Sequence, residues 1–276
     1  MPELPEVETL ARNLKELLRD AEFGAVDVCW PGAVAMPSAD ELTRQLPGHK
    51  VLDVSRRGKF LLLSLSGPRY LLIHLRMSGQ LRVEAGACPP DRHVRLTFHL
   101  TDGRRLVFSD TRKFGRVYWV PDPDLVVSAL GPEPLAGDFT LQRFSALLSR
   151  HKGALKPLLL NQEVLAGLGN IYADEVLFRS KLHPLRKANT LSVTEVERLY
   201  LAIREVLQQA IDGRGTTLAD ERFRDAEGRP GGFVESLRVY QRTAEPCVCC
   251  GTSIERITVG GRGTHFCPSC QGTAGS

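Results

Sequence analysis

Four of the seven cysteines in this 276-residue chain have the spacing of a tetrahedral metal site. Cys247 and Cys250 form one Cys-x-x-Cys pair, and Cys267 and Cys270 form a second pair after sixteen intervening residues. Thiolate pairs at this spacing bind structural zinc, and four protein ligands leave no open coordination position for catalysis. The pattern therefore predicts one structural zinc ion, which should supply much of the folding energy of so short a segment.

The other three cysteines, Cys29, Cys88 and Cys249, lack ligand spacing, and nothing in the sequence indicates a role for them. The cysteine count is odd, and the first residues lack the basic and apolar regions of a signal peptide. Both features argue against a disulfide framework and are typical of a cytoplasmic protein with a metal site.

The segment between the two cysteine pairs predicts a hairpin, with strands at 254–259 and 264–266 and a turn at 260–263. Arg262 lies between glycines in that turn, where a guanidinium group can approach a phosphate closely. An ordinary solvated arginine is an equally good interpretation of the spacing alone.

The first residues of the chain also carry potential chemistry. Removal of Met1 would leave Pro2 with a free secondary amine, which can attack an aldehyde carbon and form an iminium ion that acts as an electron sink. Glu3 and Glu6 follow closely and could donate or accept protons. On residue types alone, the favoured interpretation is a short disordered start with carboxylates that cap a helix.

These residues must be positioned by elements that the pattern of apolar residues predicts. Residues 5–21 place apolar side chains at helical spacing and predict one amphipathic helix. Short strands separated by turn signals, at 51–54, 60–65, 70–75, 94–100, 106–109 and 117–120, predict a β-sandwich or barrel. Residues 121–138 predict a linker, and residues 212–232, rich in Gly, Arg and Asp, predict a mobile loop. Four helices are predicted between them: 141–148, 154–165, 171–180 and 193–211.

The composition excludes one class of protein and is compatible with another. No run of about 18 apolar residues occurs, so a transmembrane helix is excluded and we expect no membrane association. The 36 basic and 32 acidic residues leave a net charge of +4, which is compatible with nucleic-acid binding but does not establish it.

The motif Met-Pro-Glu-Leu-Pro-Glu-Val-Glu-Thr at 1–9, taken with the cysteine pattern, resembles the start of bacterial formamidopyrimidine-DNA glycosylases (the MutM family). The resemblance covers nearly the whole chain, and it is specific because unrelated motifs occur in the family's order. The further matching stretches are RRGK at 56–59, HLRMSG at 74–79, DTRKFG at 110–115, GPEPL at 131–135, GLGNIYADE at 167–175 and GGRGT at 260–264.

The resemblance implies an α+β, multidomain fold. It implies an N-terminal β-sandwich with a flanking helix at 1–134, a helical helix-two-turns-helix DNA-binding domain at 135–236 and a C-terminal zinc ribbon at 237–276. The loop at 212–232 corresponds to one that covers the extruded base, and its composition suits a lid.

The implied activity is that of a bifunctional DNA glycosylase and abasic-site lyase. Such an enzyme excises oxidised purines, chiefly 8-oxoguanine and formamidopyrimidines, and then nicks the strand by β,δ-elimination. Pro2 matches the nucleophile that attacks C1′, and Glu3 matches the proton donor to the opening sugar. Lys59 and Arg262 match the proton donors of β- and δ-elimination, although both positions also suit phosphate binding and a solvated strand end would explain Lys59 equally simply.

Excision requires the nucleotide to be rotated out of the duplex, and the resemblance assigns three residues to the gap. Met77, Arg112 and Phe114 match the trio that fills it: methionine and phenylalanine as apolar fillers, arginine as a donor to the orphaned cytosine. Without the resemblance, core packing would be the preferred interpretation of Met77 and Phe114. Arg76 and Lys113 depart from the family pattern, which commonly has Gly and Arg there.

Four further residues are implied to contact DNA. Asn170 would lie near a helix N-terminus, where backbone N–H groups favour a phosphate, and it could also serve as the N-cap of that helix. Lys152 matches a DNA-contact position, His74 is a further phosphate-binding candidate, and His93 is a weaker one because its surroundings depart from the pattern.

The expected partner is damaged double-stranded DNA, bound by a monomer in the cytoplasm in association with the nucleoid. Two alternatives stay open at this point. One is an endonuclease VIII-like glycosylase for oxidised pyrimidines, against which Leu4 and the gap-filling trio argue. The other is a non-catalytic zinc-ribbon DNA-binding protein, which would form no covalent intermediate.

Overall fold

A computed structural model of the chain describes residues 1–86, 91–219 and 223–272, so Cys88 and residues 220–222 of the predicted loop lie outside the described residues. Tertiary contacts divide the chain into two compact units. The first comprises Met1–Ala129 and Gly213–Val234, and the second comprises Leu130–Asp212 and Glu235–Ser276. The predicted α+β, multidomain fold is confirmed.

The first unit is built on two sheets, a five-stranded one of order β2-β9-β5-β4-β3 and a four-stranded one of order β1-β7-β8-β6. Apart from the parallel pair β2-β9, neighbouring strands are antiparallel. The strands are β1 (Phe23–Val28), β2 (Val34–Met36), β3 (Val51–Arg57), β4 (Phe60–Leu65), β5 (Arg69–His74), β6 (Gly79–Ala85), β7 (Val94–Leu100), β8 (Arg104–Asp110) and β9 (Arg116–Val120). Three helices accompany them: α1 (Leu4–Leu17), α2 (Ala39–Gln45) and α3 (Asp124–Val127).

Helix α1 covers part of the apolar core of this unit. Leu10, Leu14 and Leu18 recur at helical spacing and are at most 1% exposed, in one cluster with the inward side chains of the strands. The helix ends four residues before the predicted Ala21, because Leu18 forms the C-cap and Asp20 adopts a φ of +58° that no helix continues through. The predicted linker at 121–138 is not wholly irregular, since it contains α3.

The second unit is helical and carries a β-hairpin. Its helices are α4 (Leu141–Ser149), α5 (Leu155–Leu160), α6 (Asn170–Arg179) and α7 (Val193–Asp212), and its strands are β10 (Glu255–Val259) and β11 (Arg262–Phe266). The helix predicted over 154–165 is too long. It ends at Leu160 because Asn161 is extended, and the Gln162 side chain bonds the Leu160 and Leu168 carbonyls and the Gly167 N–H in place of a further helical turn.

The described residues of the segment 213–234 pack within the first unit. The Gly232 N–H donates to the Gly213 carbonyl at 2.8 Å, and the Val83 N–H on β6 donates to the Ala226 carbonyl at 3.1 Å. Phe223 and Ala226 are buried. Among the described helices, none combines the length and the apolarity needed to cross a membrane.

Candidate functional site

The chain start is ordered and leads directly into α1, with Glu3 as the N-cap of that helix. Pro2 is buried and Glu3 is 2% exposed at the N-cap, so a disordered start is the wrong interpretation, whereas helix capping is correct. The Glu3 N–H donates to Glu6 Oε2 at 2.7 Å, and Glu6 Oε1 accepts from the Thr216 N–H at 2.7 Å. Gly215 permits this contact, because its φ is +77° and a Cβ there would lie 2.9 Å from Glu6 Oε1.

Lys59 lies in the two-residue turn between β3 and β4, where Gly58 has a φ of +57°. It is only 6% exposed, so a solvated strand end is the wrong interpretation of this lysine. The next residue, Phe60, pairs with His74 across the sheet, and the two rings pack edge-on at 4.5 Å between centroids.

His74 is buried and neutral. Burial, with added repulsion from Arg76 and Lys59, lowers its pKa to about 3. Its Nδ1 accepts from the Arg76 N–H at 3.0 Å, so Nε2 must carry the ring proton. A phosphate bound by His74 would therefore meet a neutral N–H donor.

A buried carboxylate joins the turn 75–78 to the turn 111–115. Asp110 is 1% exposed, and its Oδ1 accepts from Ser78 Oγ at 2.5 Å and from the Arg112 N–H at 3.1 Å. Its Oδ2 accepts from the Gly115 N–H at 2.7 Å, and a Cβ at Gly115 would meet the Phe108 ring at 2.4 Å. Residue types indicated no role for Asp110, although the matching stretch at 110–115 begins with it.

The predicted gap-filling trio lies on these two turns. Phe114 is 46% exposed, Arg112 is exposed and Met77 is half-buried, so core packing is the wrong interpretation of Phe114. The Arg112 guanidinium carbon lies 4.8 Å from the centre of the Phe114 ring. Arg76 has a φ of +54°, which explains why glycine is favoured at that position.

His93 directly precedes β7, is half-buried and lies beside Asp110. Its carbonyl accepts from the Asp110 N–H at 2.9 Å, and its own N–H donates to Asp91 Oδ1 at 2.8 Å. The first unit thus contains six of the predicted DNA-contacting and elimination residues, Lys59, His74, Met77, His93, Arg112 and Phe114, together with Pro2 and Glu3.

In the second unit, Asn170 is in direct contact with Gly263 of the β10–β11 hairpin. The Asn170 Nδ2 donates to the Gly263 carbonyl at 3.0 Å. Gly169, not Asn170, is the N-cap of α6, so the N-cap interpretation of this asparagine is wrong. Lys152 is exposed and lies before α5.

Arg262 is exposed and is the first residue of β11, opposite Val259. The predicted four-residue turn at 260–263 is wrong, because Gly260 and Gly261 alone form the turn with φ values of +56° and +74°. Arg262 therefore lies at the end of a strand, adjacent to the Gly263 that Asn170 contacts.

Two acidic residues of α6 hold the hairpin and the segment before it, and residue types indicated neither role. Asp174 is fully buried in an ion pair with Lys156, and its Oδ2 accepts from the His265 N–H of β11 at 2.9 Å. Glu175 accepts from three consecutive backbone N–H groups, those of residues 238–240, at 2.9–3.0 Å. Burial raises the pKa of the Glu175 carboxyl despite these bonds.

The four predicted zinc ligands converge beside the hairpin. The sulfur atoms of Cys247, Cys250, Cys267 and Cys270 all lie within 4.8 Å of one another. With Zn–S bonds of about 2.3 Å, a tetrahedron of thiolates needs sulfur separations just under 4 Å. The Cys247–Cys270, Cys250–Cys267 and Cys250–Cys270 sulfur pairs are 3.8, 3.5 and 3.4 Å apart, close to that value. Cys249 is exposed and is not among them.

Comparison with known proteins finds matches over three stretches of the chain. Three family models match: the formamidopyrimidine-DNA glycosylase N-terminal domain at residues 1–117, its H2TH domain at 130–221, and a zinc finger found in FPG and IleRS at 244–272. The last match and the cysteine geometry confirm the predicted structural zinc site.

Relatives match over their full length. The formamidopyrimidine-DNA glycosylase of Herpetosiphon aurantiacus is 47% identical over 274 residues, covering 98% of this chain and all of the relative. That of Pelotomaculum thermopropionicum is 45% identical, covering 98% and 99%. Crystal structures of Lactococcus lactis Fpg (MutM) bound to DNA containing N7-benzyl-Fapy-dG or an abasic site match with a TM-score of 0.92, at 37% and 36% identity. They cover 99% and 98% of this chain and all of the Lactococcus chain.

Proposed function

This chain belongs to the formamidopyrimidine-DNA glycosylase family, and from that membership we propose that it excises oxidised purines from duplex DNA and then cuts the strand at the abasic sugar. The enzyme is a DNA glycosylase with abasic-site lyase activity that acts on damaged DNA. The finer assignments are 8-oxoguanine and formamidopyrimidine as substrates, a covalent iminium intermediate, and β,δ-elimination.

In the proposed reaction, the Pro2 nitrogen forms a bond to C1′ and loses its proton, while the bond between C1′ and the damaged base breaks and the base leaves with the bonding electrons and gains a proton. Glu3 donates a proton to O4′ as the sugar ring opens, which leaves an iminium ion between Pro2 and C1′. The observation that carries this assignment is the ordered first turn of α1. Pro2 and Glu3 are buried directly before that turn, and the Glu6 carboxylate accepts from the N–H groups of Glu3 and Thr216, which holds the backbone next to Pro2.

The iminium ion acidifies the C2′ proton, so the 3′ phosphate leaves by β-elimination and the 5′ phosphate follows by δ-elimination. Lys59 and Arg262 are the proposed proton donors for these two steps. The position of Lys59 supports its role, because the side chain is only 6% exposed and its ammonium group is thus largely shielded from bulk water. Arg262 is exposed and suited to phosphate contact as well.

Contacts with DNA are proposed for both units. In the first unit, the exposed Phe114 and Arg112 and the half-buried Met77 fill the gap left by the extruded nucleotide. His74 and His93 are proposed phosphate contacts there, as are Lys152 and Asn170 in the second unit. The loop at 212–232 is the proposed cover of the extruded base.

The test of this proposal is covalent capture with borohydride, which reduces an iminium ion to a stable amine. We expect the enzyme with a free Pro2 to be trapped on duplexes that carry 8-oxoguanine opposite cytosine. The matched control is the same chain with an N-terminal extension, in which the Pro2 nitrogen is an amide and cannot attack. Equal trapping of both forms would reject Pro2 as the nucleophile, and faster excision of thymine glycol than of 8-oxoguanine would favour the pyrimidine-specific alternative.

The monomeric state, the cytoplasmic location in association with the nucleoid and the three-domain boundaries at 134 and 236 stay predictions. Sedimentation of the free enzyme and of its DNA complex would test the first of them.

A further inference from the structure

We propose that Trp30 is a positioning residue for the reaction. Its ring contacts the cationic side chains of Lys113, in the turn 111–115, and of Arg116, directly after it. These contacts set the direction in which Arg112 and Phe114 point. The inference rests on the proposed function, because it gives those two side chains the task of filling the gap in the duplex. It adds a residue that lies outside every motif of the family resemblance.

The Trp30 ring is itself held in place. Its backbone N–H donates to the Arg95 carbonyl at 3.2 Å, and its carbonyl accepts from the Ala33 N–H at 3.0 Å. Gly32 packs directly on the ring, since a Cβ at Gly32 would lie 2.5 Å from the indole Cζ2. The indole also packs against the apolar core of the first unit, so Gly32 and the core together restrict its rotation.

Two cations, one in the turn and one directly after it, lie against this ring. The Lys113 Nζ is 5.7 Å from the ring centre, and the Arg116 guanidinium carbon is 5.6 Å from it. Both distances are within the range of cation–π attraction, which is strongest for tryptophan. Arg116 also donates to the Lys113 carbonyl at 3.1 Å and to the Gly115 carbonyl at 2.9 Å, so it links the ring to the backbone of the turn.

Lys113 needs such a restraint because its backbone is in the left-handed region, with a φ of +60°. Residues with a Cβ seldom adopt this conformation without support. Arg112 and Phe114 flank Lys113, so a change in its φ would re-aim both side chains. Asp110 fixes the turn from the other side through the Arg112 and Gly115 N–H groups.

The experiment compares single-turnover strand cleavage at an abasic site in a duplex with cleavage of the same oligonucleotide unpaired. Only the duplex has a gap to fill. We expect Trp30→Leu to slow cleavage of the duplex by roughly five- to twentyfold, the effect of losing two cation–π contacts, and to leave the single-strand rate within about twofold. Trp30→Phe keeps an aromatic face and should recover most of the duplex rate.

Two controls separate positioning from a general loss of structure. Arg69→Gln removes a similar contact elsewhere in the first unit, that of Arg69 over Trp119 at 5.9 Å, and should leave the ratio of duplex to single-strand rates unchanged. The second control is the double variant Trp30→Leu with Lys113→Gln. If Trp30 acts through the turn, the fold-decrease of its duplex cleavage rate should be smaller than the product of the fold-decreases of the two single variants.

Equal slowing of both substrates by Trp30→Leu, or an unchanged duplex rate, would overturn the inference. Its failure is distinguishable from that of the proposed function. If the wild-type enzyme is not trapped by borohydride, the nucleophile assignment fails whatever Trp30 does. If it is trapped and Trp30→Leu keeps the wild-type ratio, only the role of Trp30 fails.

Discussion

At the scale of single residues, burial keeps His74, a proposed phosphate contact, uncharged. His74 stays neutral down to a pKa of about 3 because it is buried and because Arg76 and Lys59 repel a further positive charge. Its neutral ring can still donate from Nε2, since Nδ1 is occupied by the Arg76 N–H. His74 is thus suited to recognise a phosphate by hydrogen bonding without adding charge to the site.

The lowered pKa of His74 predicts a pH dependence of stability. An unfolded histidine takes up a proton near pH 6.5, whereas the folded His74 does so only near pH 3. Its contribution to stability is therefore complete above pH 6.5 and is lost as the pH falls towards 3, by at most about 1.4 kcal/mol per pH unit. Urea unfolding followed by tryptophan fluorescence measures the stability of the first compact unit, which contains His74. Trp30 and Trp119 are the only tryptophans of the sequence, and both lie in that unit.

The control is His74→Gln, which cannot titrate in this range. We expect its unfolding free energy to fall less steeply than that of the wild-type chain between pH 6.5 and 4. Parallel pH dependences of the two proteins would show that His74 titrates normally in the folded state.

Sequence could predict residues whose chemistry is local, and it missed those whose contacts are distant. The spacing of the four cysteines was enough to predict the zinc site, whereas Pro2 and Glu3 were singled out only by the family resemblance of residues 1–9, and their catalytic roles stay proposals. The sequence predicted that Glu6 caps the helix or exchanges protons, but it could not predict the contact with Thr216, which spans 210 residues. The contact between Trp30 and Lys113 could not be predicted from the sequence either, because the two residues are distant in the chain and meet only in the folded unit.

At the scale of elements, the turns 75–78 and 111–115 act as a pair because one carboxylate accepts hydrogen bonds from both. We predict that Asp110→Asn will destabilise the first unit by about 2–4 kcal/mol, since an amide nitrogen cannot accept and leaves a buried N–H or hydroxyl unpaired. Urea unfolding by tryptophan fluorescence measures the loss, and affinity for an abasic-analogue duplex should fall with it.

The matched control is Asp102→Asn, in the exposed turn before β8, where the carboxylate pairs with Arg104 in solvent. It should change the stability by less than about 1 kcal/mol. A loss at Asp110→Asn no larger than this would show that the carboxylate does not hold the turns together.

Periodicity predicted the long elements well and the short or mixed ones poorly. The strands β4 and β7 and the helix α7 were predicted from clear apolar patterns within a residue or two. Strand β6 was missed because polar side chains interrupt its apolar positions, and its pairing with β8 needs partners from elsewhere in the chain. The end of α5 was misplaced because apolar residues at helical spacing, Val164 and Leu165, continue past Leu160, while the Gln162 side chain ends the helix.

At the scale of the whole molecule, the zinc site should affect DNA binding without affecting the stability of the first unit. Cys267→Ser removes one of four thiolates, so we expect loss of the zinc ion and impaired DNA binding, while the tryptophan-reported unfolding of the first unit stays unchanged. Metal content, a binding titration and urea unfolding measure the three effects.

Cys249→Ser is the control for this change, because Cys249 is exposed and lies outside the cluster of four. It should keep both the metal ion and the affinity for DNA. Normal zinc content and normal binding in Cys267→Ser would contradict the assignment of the zinc site.

Phosphate contacts proposed in both units predict a strong dependence of binding on salt. If about 4–6 phosphates are neutralised, the logarithm of the binding constant should fall with the logarithm of salt concentration at a slope near −4 to −5. A titration of the enzyme with an abasic-analogue duplex at several salt concentrations gives this slope. A slope near zero would reject the proposed basic contacts.

The central claim is that the amine of Pro2 becomes bonded to the sugar of the damaged nucleotide. Mass spectrometry of the peptides from a borohydride-reduced complex of enzyme and oligonucleotide tests it most directly. The account predicts a chain that lacks Met1 and carries the sugar remnant on the peptide that begins with Pro2. A remnant on Lys59 or on any other lysine, with the Pro2 peptide unmodified, would contradict it.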